Sequence, residues 1–176
     1  MVQSLVAIDF ETSGRERNSA CALGLCRIDD RVIQKPWYTL LRPPSSRVLF
    51  THIHHLTWED VKDAPRFPDV WPTILDYVSG ASYFIAHNAP FDRGVLTGTL
   101  EALSLPKLDI PFLCTLKGAR KALPKCAHKS LDALCRLFAI PLNHHNALSD
   151  ACACAKLYLL LTSMGVDESM MRISTH

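Results

Sequence analysis

This chain lacks the long apolar runs that mark membrane proteins. No stretch of its sequence approaches the ~18 consecutive apolar residues of a membrane span. The N-terminus has neither the basic region nor the long apolar core of a secretory signal. Gly/Ser-rich or Pro-rich linkers, low-complexity tracts and internal repeats are also missing. We therefore expect a single domain over residues 1–176, located in the cytoplasm and without membrane contact.

Zinc-finger spacing and a strong net charge are missing as well. The seven cysteines form no CxxC pair, and an odd number in mostly apolar surroundings is typical of buried, reduced thiols in an intracellular protein. Lysine and arginine total 19 against 17 acidic residues, a formal charge of +2. Whole-molecule charge therefore does not indicate a polyanionic partner, and local clusters must do so.

Apolar periodicity predicts an α/β protein whose first three strands are antiparallel, with helices on the faces of the sheet. The pattern predicts strands over Leu5–Phe10, Ala20–Ile28, Val32–Leu41 and Tyr83–Ala86, and helices over Phe67–Tyr77, Ala89–Leu103, Thr115–Leu123 and Ser130–Phe138. Short helical pieces are expected within residues 51–65. The inner face of the first long helix is assigned to Val70, Ile74, Leu75 and Tyr77.

Polar residues and glycine mark the ends of two helices. Asn88 is expected to cap the helix that follows the fourth strand, because asparagine is among the preferred N-cap residues. A last helix is expected to start after Asn146 and to stop near Gly165, since glycine favours a C-terminal cap.

Four carboxylates and one histidine carry the chemical signal of the sequence. They are Asp9 and Glu11 in VAIDFET, Asp92 in AHNAPFD, and His145 with Asp150 in HNALSD. Acidic side chains in apolar runs are costly to bury unless a cation or hydrogen bonds compensate them. Strand alternation places Asp9 and Glu11 on one face, roughly 7 Å apart. A shared divalent metal is the most economical explanation.

Each of these residues also has an ordinary explanation when taken alone. An isolated DxE sequence is more often a solvated strand end. Asp92 and Asp150 fall in first helical turns, where an acid complements the helix dipole. His145 alone would fit a surface loop. These separate explanations account poorly for all five residues together.

The three segments resemble the motifs of the DEDDh branch of the RNase H-like 3′-to-5′ exonucleases, which include the epsilon proofreading subunit, exonuclease X, ribonuclease T and oligoribonuclease. The motifs are IDFET, HNAPFD and HNALSD, and the resemblance extends from Leu5 to about Leu161. The sibling branch has tyrosine where this chain has Asn146, so His145 selects the DEDDh branch. The resemblance implies an RNase H-like mixed sheet of about five strands and a single exonuclease domain.

The resemblance also assigns roles to the five residues. It implies that Asp9, Glu11, Asp92 and Asp150 bind two divalent cations, Mg²⁺ or Mn²⁺, both of which suit oxygen ligands. His145 would be the general base that takes a proton from the attacking water. The neighbouring His144 is one residue too far from Asp150 for the motif, and we expect it to contact solvent or a nearby phosphate at most.

Four further residues are expected at the terminal nucleotide by the same resemblance: Thr12, His54, Asn88 and Phe91. Phe91 would stack on a base or sugar, although helix core is an equally good explanation. His54 would lie near the terminal base, although a structural role explains it as well. Many relatives carry a hydrophobic wedge after the glycine at Gly14, where this chain has Arg15, so the means of unstacking the strand end is left open.

A basic stretch runs from Lys117 to Lys129 without an acid, and it contains Lys117, Arg120, Lys121, Lys125 and Lys129. A solvated helical face explains it, and so does phosphate binding through counterion release. In the second case, Lys121→Ala and Lys125→Ala should weaken the salt dependence of binding.

The sequence therefore predicts a metal-dependent 3′-to-5′ exonuclease that releases nucleoside 5′-monophosphates from single-stranded or frayed DNA ends, in proofreading or repair. An exoribonuclease of the ribonuclease T or oligoribonuclease type is the first alternative, since the same chemistry cuts RNA. The second is a non-catalytic nucleic-acid-binding or polymerase-accessory module on the same fold. Complete occupancy of the five chemical positions argues against that module.

Overall fold

The N-terminal segment forms the central strand of the fold, because its apolar residues bury both of its faces. The computed structural model describes residues 3–173. In β1 (Ser4–Thr12), Leu5 and Ala7 belong to one apolar cluster and Val6 and Ile8 belong to the other. Side chains alternate between the two faces of a strand. Asp9 and Glu11 therefore continue the face that begins with Leu5.

The sheet has six strands. The others are β2 (Ala20–Asp29), β3 (Val32–Ile33), β4 (Trp37–Leu40), β5 (Tyr83–Ala86) and β6 (Phe112–Cys114). Their order is β3-β2-β1-β5-β6, with β4 also pairing with β2. The pairs of β2 are antiparallel, whereas β5 is parallel to β1 and to β6. The predicted mixed α/β sheet with an antiparallel first half is confirmed.

Two strand predictions differ from the structure. The single strand predicted over Val32–Leu41 is two short strands, both paired with β2. Pro36 lies between them and has no N–H to donate to a ladder. The three-residue strand β6 was not predicted, because so short an apolar segment after Pro111 has no readable period.

Helices cover both faces of the sheet. They are α1 (Thr51–His54), α2 (Trp58–Val61), α3 (Phe67–Tyr77), α4 (Pro90–Ala102), α5 (Thr115–Ala122), α6 (Leu131–Leu137), α7 (Ala147–Ser163) and α8 (Glu168–Met171). The buried residues of α3 and α4 join the apolar cluster of Val6 and Ile8, and those of α5 to α8 join the cluster of Leu5 and Ala7. Within residues 3–173, no helix is long and apolar enough to cross a membrane.

Two details of the helices correct the predictions. Asn88 does not cap α4, because the helix begins at Pro90 with Ala89 as its N-cap and Asn88 has a φ of 67°. The inner face of α3 is Phe67, Trp71 and Ile74, whereas Leu75 is 39% exposed. Ile74 is thus confirmed, and Val70 and Tyr77 are partly buried against the same cluster. Leu75 is the wrongly assigned residue, and Phe67 and Trp71 were not predicted.

The ends of α7 follow the prediction. The side chain of Asn146 accepts a hydrogen bond from Ser149 N at 3.0 Å, as an N-cap does. After the helix, Gly165 has a φ of 87° and its N–H donates to Thr162 O, while Val166 N donates to Leu161 O. This pair of bonds is the Schellman arrangement that glycine permits.

All seven cysteines are free. Five are buried, as predicted, but Cys126 and Cys152 are only partly buried.

Candidate active site

The site forms where the parallel strands end. In open α/β sheets, ligands bind in the crevice outside the carboxyl ends of the strands. The parallel strands β1, β5 and β6 end at Thr12, Ala86 and Cys114. The segments that follow β5 and β6 begin with His87 and Thr115. The first and second motifs therefore meet at this edge.

Three carboxylates converge there. Asp9, Glu11 and Asp150 each offer an oxygen, and these oxygens lie within 4.8 Å of one another. Asp9 and Glu11 share the face of β1 against which α7 packs, as strand alternation predicts. The register of β1 on β2 shifts between Glu11 and Thr12, and such irregularities re-aim side chains at sites.

Gly24 on β2 lets α7 bring Asp150 into this group. Asp9 pairs directly with Gly24 across the ladder. A Cβ atom at Gly24 would lie 2.1 Å from the carbonyl oxygen of Ala147, the first residue of α7. Only glycine permits so close an approach of two backbones. The first turn of α7 therefore rests on the sheet beside Asp9.

Asp92 lies deeper than the other three carboxylates. It is 2% exposed, and its Oδ1 accepts a hydrogen bond from Phe10 N at 3.1 Å. This bond ties the first turn of α4 to β1. Among the residues that the structure describes, the group within 4.8 Å does not include Asp92, although its charge acts directly on Asp9.

Burial and mutual repulsion make the carboxylates resist ionisation. Burial and the charges of Asp92, Asp150 and Glu11 raise the pKa of Asp9 well above its usual range. Burial, then the charge of Asp150, raises the pKa of Glu11 to about 7. Burial raises the pKa of Asp92 to about 8 and also raises that of Asp150. A bound cation removes this conflict.

The donor set fits a hard divalent cation. Asp150 Oδ1 is buried and has no hydrogen-bond partner among the described residues. A carboxylate oxygen of this kind needs compensation, and a cation shared with Asp9 and Glu11 would supply it. Clustered carboxylate oxygens without thiolate ligands suit Mg²⁺ or Mn²⁺.

Two histidines stack beside Asp150. His145 has a φ of 64°, and its backbone N–H donates to Asp150 Oδ2 at 3.1 Å. His144 Nδ1 donates to the same oxygen at 3.0 Å. The two rings are stacked with centroids 3.8 Å apart. The prediction that His144 contacts only solvent or phosphate is therefore wrong, because the left-handed turn at His145 brings both rings to the carboxylate.

His145 is suited to accept a proton. Burial, then the like charge of His144, lowers its pKa from the ordinary value. Its imidazole is therefore neutral at pH 7 and has a nitrogen available as a base.

A cleft of about 290 Å³, which we call the aromatic cleft, opens on one side of the carboxylates. It is lined by Thr12, His54, Phe91 and His145, together with Phe50 and Ile53. Phe91 is 47% exposed, so helix core does not explain it. His54 is buried, and its Nε2 donates to Thr12 O at 3.1 Å while its Nδ1 accepts from Leu56 N. His54 thus holds the cleft wall in place.

Phe50 and Ile53 were not predicted as site residues, because they lie outside the three motifs. Their position in the segment beside His54 is the one sequence feature that could have indicated them. Arg15 is exposed and lies with Phe50 and Phe91 around an adjoining depression. It is therefore next to the aromatic cleft, at the position where relatives carry a hydrophobic wedge.

A second cleft, of about 670 Å³, adjoins the first and is also bordered by Asp9 and Asp150. We call it the basic cleft. Its lining includes His87, Asn88, Arg120 and Lys129. Asn88 thus lines the basic cleft, whereas Thr12, His54 and Phe91 line the aromatic cleft, and the N–H of Phe91 donates to Asn88 O at 2.9 Å. Lys121 and Lys125 are exposed and are not part of the lining.

Comparisons with known proteins agree with this geometry. The family model for the RNase T group, described as an exonuclease, matches residues 6–158. The chain belongs to this exonuclease family. The predicted 3′-to-5′ exonuclease class of enzyme is thereby confirmed, together with its RNase H-like fold.

Individual relatives give the same assignment. The chain is 32% identical over 179 residues to DNA polymerase III subunit epsilon of Buchnera aphidicola subsp. Schizaphis graminum (strain Sg), covering 92% of this chain and 75% of that protein. It spans only 53% and 47% of two other Buchnera epsilon subunits.

Solved structures resemble the exonuclease throughout its length. Exonuclease X in complex with 5′ overhanging duplex DNA is 28% identical, with a TM-score of 0.75, and the match covers 95% of this chain and 96% of that one. The nuclease domain of 3′hExo, a DEDDh family member bound to rAMP, has a TM-score of 0.79 at 16% identity, covering 98% of this chain and 96% of that one. The second likeness shows the fold alone.

Proposed function

We propose that this exonuclease removes nucleoside 5′-monophosphates from the 3′ ends of single-stranded or frayed DNA, with two divalent cations and His145 as general base. The observation that carries the proposal is the convergence of Asp9, Glu11 and Asp150 within 4.8 Å, with His145 bonded through its backbone to Asp150. The similarity to epsilon subunits and to exonuclease X favours DNA as the strand.

The carboxylates would hold the cations. Asp9, Glu11 and Asp150 would supply oxygens to a shared position, and Asp92, whose charge acts on Asp9, would serve a second one. Two Mg²⁺ or Mn²⁺ ions bound there would neutralise the scissile phosphate and stabilise charge on the attacking and leaving oxygens.

Side chains of the protein carry out the proton transfer and hold the terminal nucleotide. His145 accepts the proton of the attacking water, because its lowered pKa keeps the imidazole neutral. Asp150 Oδ2 fixes the backbone of His145 and so sets where the base stands. Thr12 and Phe91 border the aromatic cleft, where the terminal nucleotide would be held, since an aromatic face accepts any base.

The alternative is an exoribonuclease, because the same chemistry cuts RNA and discrimination depends on contacts to the 2′-hydroxyl. The preference for DNA, the single domain and the cytoplasmic location stay predictions.

The test uses DNA and RNA oligonucleotides of one sequence, each labelled at the 5′ end. The protein is incubated with each strand in Mg²⁺, in Mn²⁺ and in chelator. We expect a ladder that shortens from the 3′ end, only with metal, and faster on DNA. Asp9→Ala should abolish the ladder, whereas Asp76→Ala, which removes an exposed carboxylate on α3, should leave it unchanged.

The outcomes separate the alternatives. Faster shortening of RNA would replace the DNA proposal with the exoribonuclease. Binding of either strand without any cleavage would support the accessory module instead.

A further inference from the structure

The basic cleft and the aromatic cleft meet at the carboxylates, because Asp9, His144 and Asp150 border both. A strand whose scissile phosphate rests on the carboxylate group can therefore place its terminal nucleotide in one cleft and the remaining strand in the other. Of the two clefts, only the aromatic one is lined by His145.

The position of His145 indicates which cleft holds the terminal nucleotide and which holds the upstream strand. In hydrolysis, the water oxygen bonds to phosphorus as the bond from phosphorus to the 3′ oxygen of the preceding nucleotide breaks, and the two oxygens are in line. The water deprotonated by His145 therefore approaches from the aromatic cleft. The leaving 3′ oxygen then points away from the aromatic cleft, and the basic cleft, which shares Asp9 and Asp150 with it, is an adjoining opening for the strand attached to that oxygen.

The charges of the basic cleft suit the phosphates of that strand. Arg120, in the last turn of α5, is exposed and forms none of the salt bridges among the described residues. Lys129 is half-buried, and its Nζ donates to the carbonyl oxygen of Cys126. Among the described residues of the lining, the carboxylates are those of Asp9 and Asp150, which the cations would neutralise.

A partly buried histidine, His87, fixes the wall that carries Lys129. His87 Nε2 donates to the carbonyl oxygen of Lys129 at 2.9 Å, and its Nδ1 lies 2.9 Å from the hydroxyl of Thr115. Burial lowers the pKa of His87 to about 4, so the ring is neutral at pH 7. The ring thereby joins the end of β5 to α5 and to the segment before α6. These contacts of His87 fix the backbone at Lys129, so the wall of the basic cleft has a defined position.

We propose that the basic cleft binds the phosphates upstream of the scissile bond, with Arg120 and Lys129 as their cations. This rests on the proposed function and adds the path and polarity of the strand. Lys121 and Lys125, which the sequence also offered for this role, lie outside the lining and have no part in it.

The first test measures the salt dependence of binding. A fluorescent single-stranded oligonucleotide is titrated by anisotropy at several KCl concentrations, in the His145→Gln background with Mg²⁺ present so that cleavage is minimal. Each lost phosphate contact reduces the slope of log K against log salt by about 0.7 for single strands. We expect Arg120→Gln with Lys129→Gln to reduce it by about 1.4. Lys121→Gln with Lys125→Gln removes the same charge and should leave the slope unchanged.

The second test uses substrate length. With His145 intact, the Arg120→Gln variant should raise KM for a long oligonucleotide but not for a dinucleotide, which has no upstream phosphate. Arg120→Lys should restore the salt slope and most of KM. Arg120 is exposed, so this variant tests the cleft even if Lys129→Gln disturbs its segment.

Equal slope changes in the two double variants, or an equal rise of KM for the dinucleotide, would overturn the proposal. If the wild type cuts neither DNA nor RNA, the proposed function fails, and the binding slopes still show whether the cleft holds phosphates.

Discussion

At the scale of single residues, Asp150 is the organising group of the site. Its Oδ2 receives hydrogen bonds from His144 Nδ1 and from the backbone of His145. Its Oδ1 is buried without a partner among the described residues. One carboxylate therefore holds the proposed base with one oxygen and leaves the other available to the proposed cation.

Replacing His145 with glutamine should separate base catalysis from metal binding. A positioned general base contributes typically about 10²- to 10⁴-fold, so we expect a fall of that size in the single-turnover rate. The backbone N–H that bonds Asp150 is retained, and Mn²⁺ affinity by calorimetry should be unchanged. Full turnover in this variant would remove His145 from the mechanism.

His144 should act through Asp150 and His145. We expect His144→Phe, which keeps a ring for stacking but loses the bond to Asp150, to weaken Mn²⁺ affinity or the single-turnover rate by about 10- to 100-fold. His144→Gln exchanges stacking for a polar side chain, and comparison of the two variants shows which contact matters. If both match the wild type, the contacts of His144 are incidental.

At the scale of elements, the site depends on how closely α7 approaches the sheet. The backbone of Ala147 and Leu148 faces Gly24 at distances that leave no room for a Cβ atom. Asp150 lies one turn further along α7, on the side facing Asp9. The depth of one helix thus controls whether the carboxylates converge.

Gly24→Ala should therefore push α7 outward. Overpacking of this kind costs about 1–3 kcal/mol, which urea denaturation would detect, and Mn²⁺ affinity should fall because Asp150 leaves the group. Gly94→Ala is the control, since its Cβ would meet only the Arg17 side chain at 3.7 Å or more. Unchanged metal affinity in Gly24→Ala would mean that α7 does not set the site.

At the scale of the whole molecule, the buried carboxylates link folding to pH and to cations. Glu11 and Asp92 have folded-state pKa values of about 7 and about 8, well above the ordinary values of ~4. At pH values between the unfolded pKa of ~4 and the folded pKa values of about 7 and about 8, the folded protein thus binds more protons than the unfolded one. Their contribution to stability is present below pH ~4 and is lost as the pH rises through 7 to 8.

The melting temperature in chelator should therefore fall between pH 5 and pH 8, and Mg²⁺ should raise it more at pH 8 than at pH 5. A cation at 100 times its Kd adds about 2.7 kcal/mol. Thermal melts across this range check the sign. Glu11→Gln, which removes one of the charges, should flatten the dependence on pH. A Mg²⁺ gain that is equal at both pH values would contradict the linkage.

Much of the fold followed from local pattern. Short, continuous apolar runs rich in β-prone residues predict β1, β2 and β5, and Asn146 and Gly165 mark the ends of α7. The predicted element boundaries were wrong where the local sequence signal was weak or was compatible with more than one structure. Pro36 divides a predicted strand, and β6 is too short to have a period. Asn88 takes a left-handed backbone conformation in place of the cap role that its side chain suggested.

The sequence by itself determined the chemical groups of the site: the carboxylates on β1, α4 and α7 and the histidine before α7. Their residue types and spacing are local properties of the chain. Only the tertiary structure decided that His144 reaches Asp150, that α7 rests on Gly24, and that Arg120 and Lys129 border a cleft that Lys121 and Lys125 do not. These facts depend on distances between segments far apart in the chain, which packing sets and local pattern does not encode.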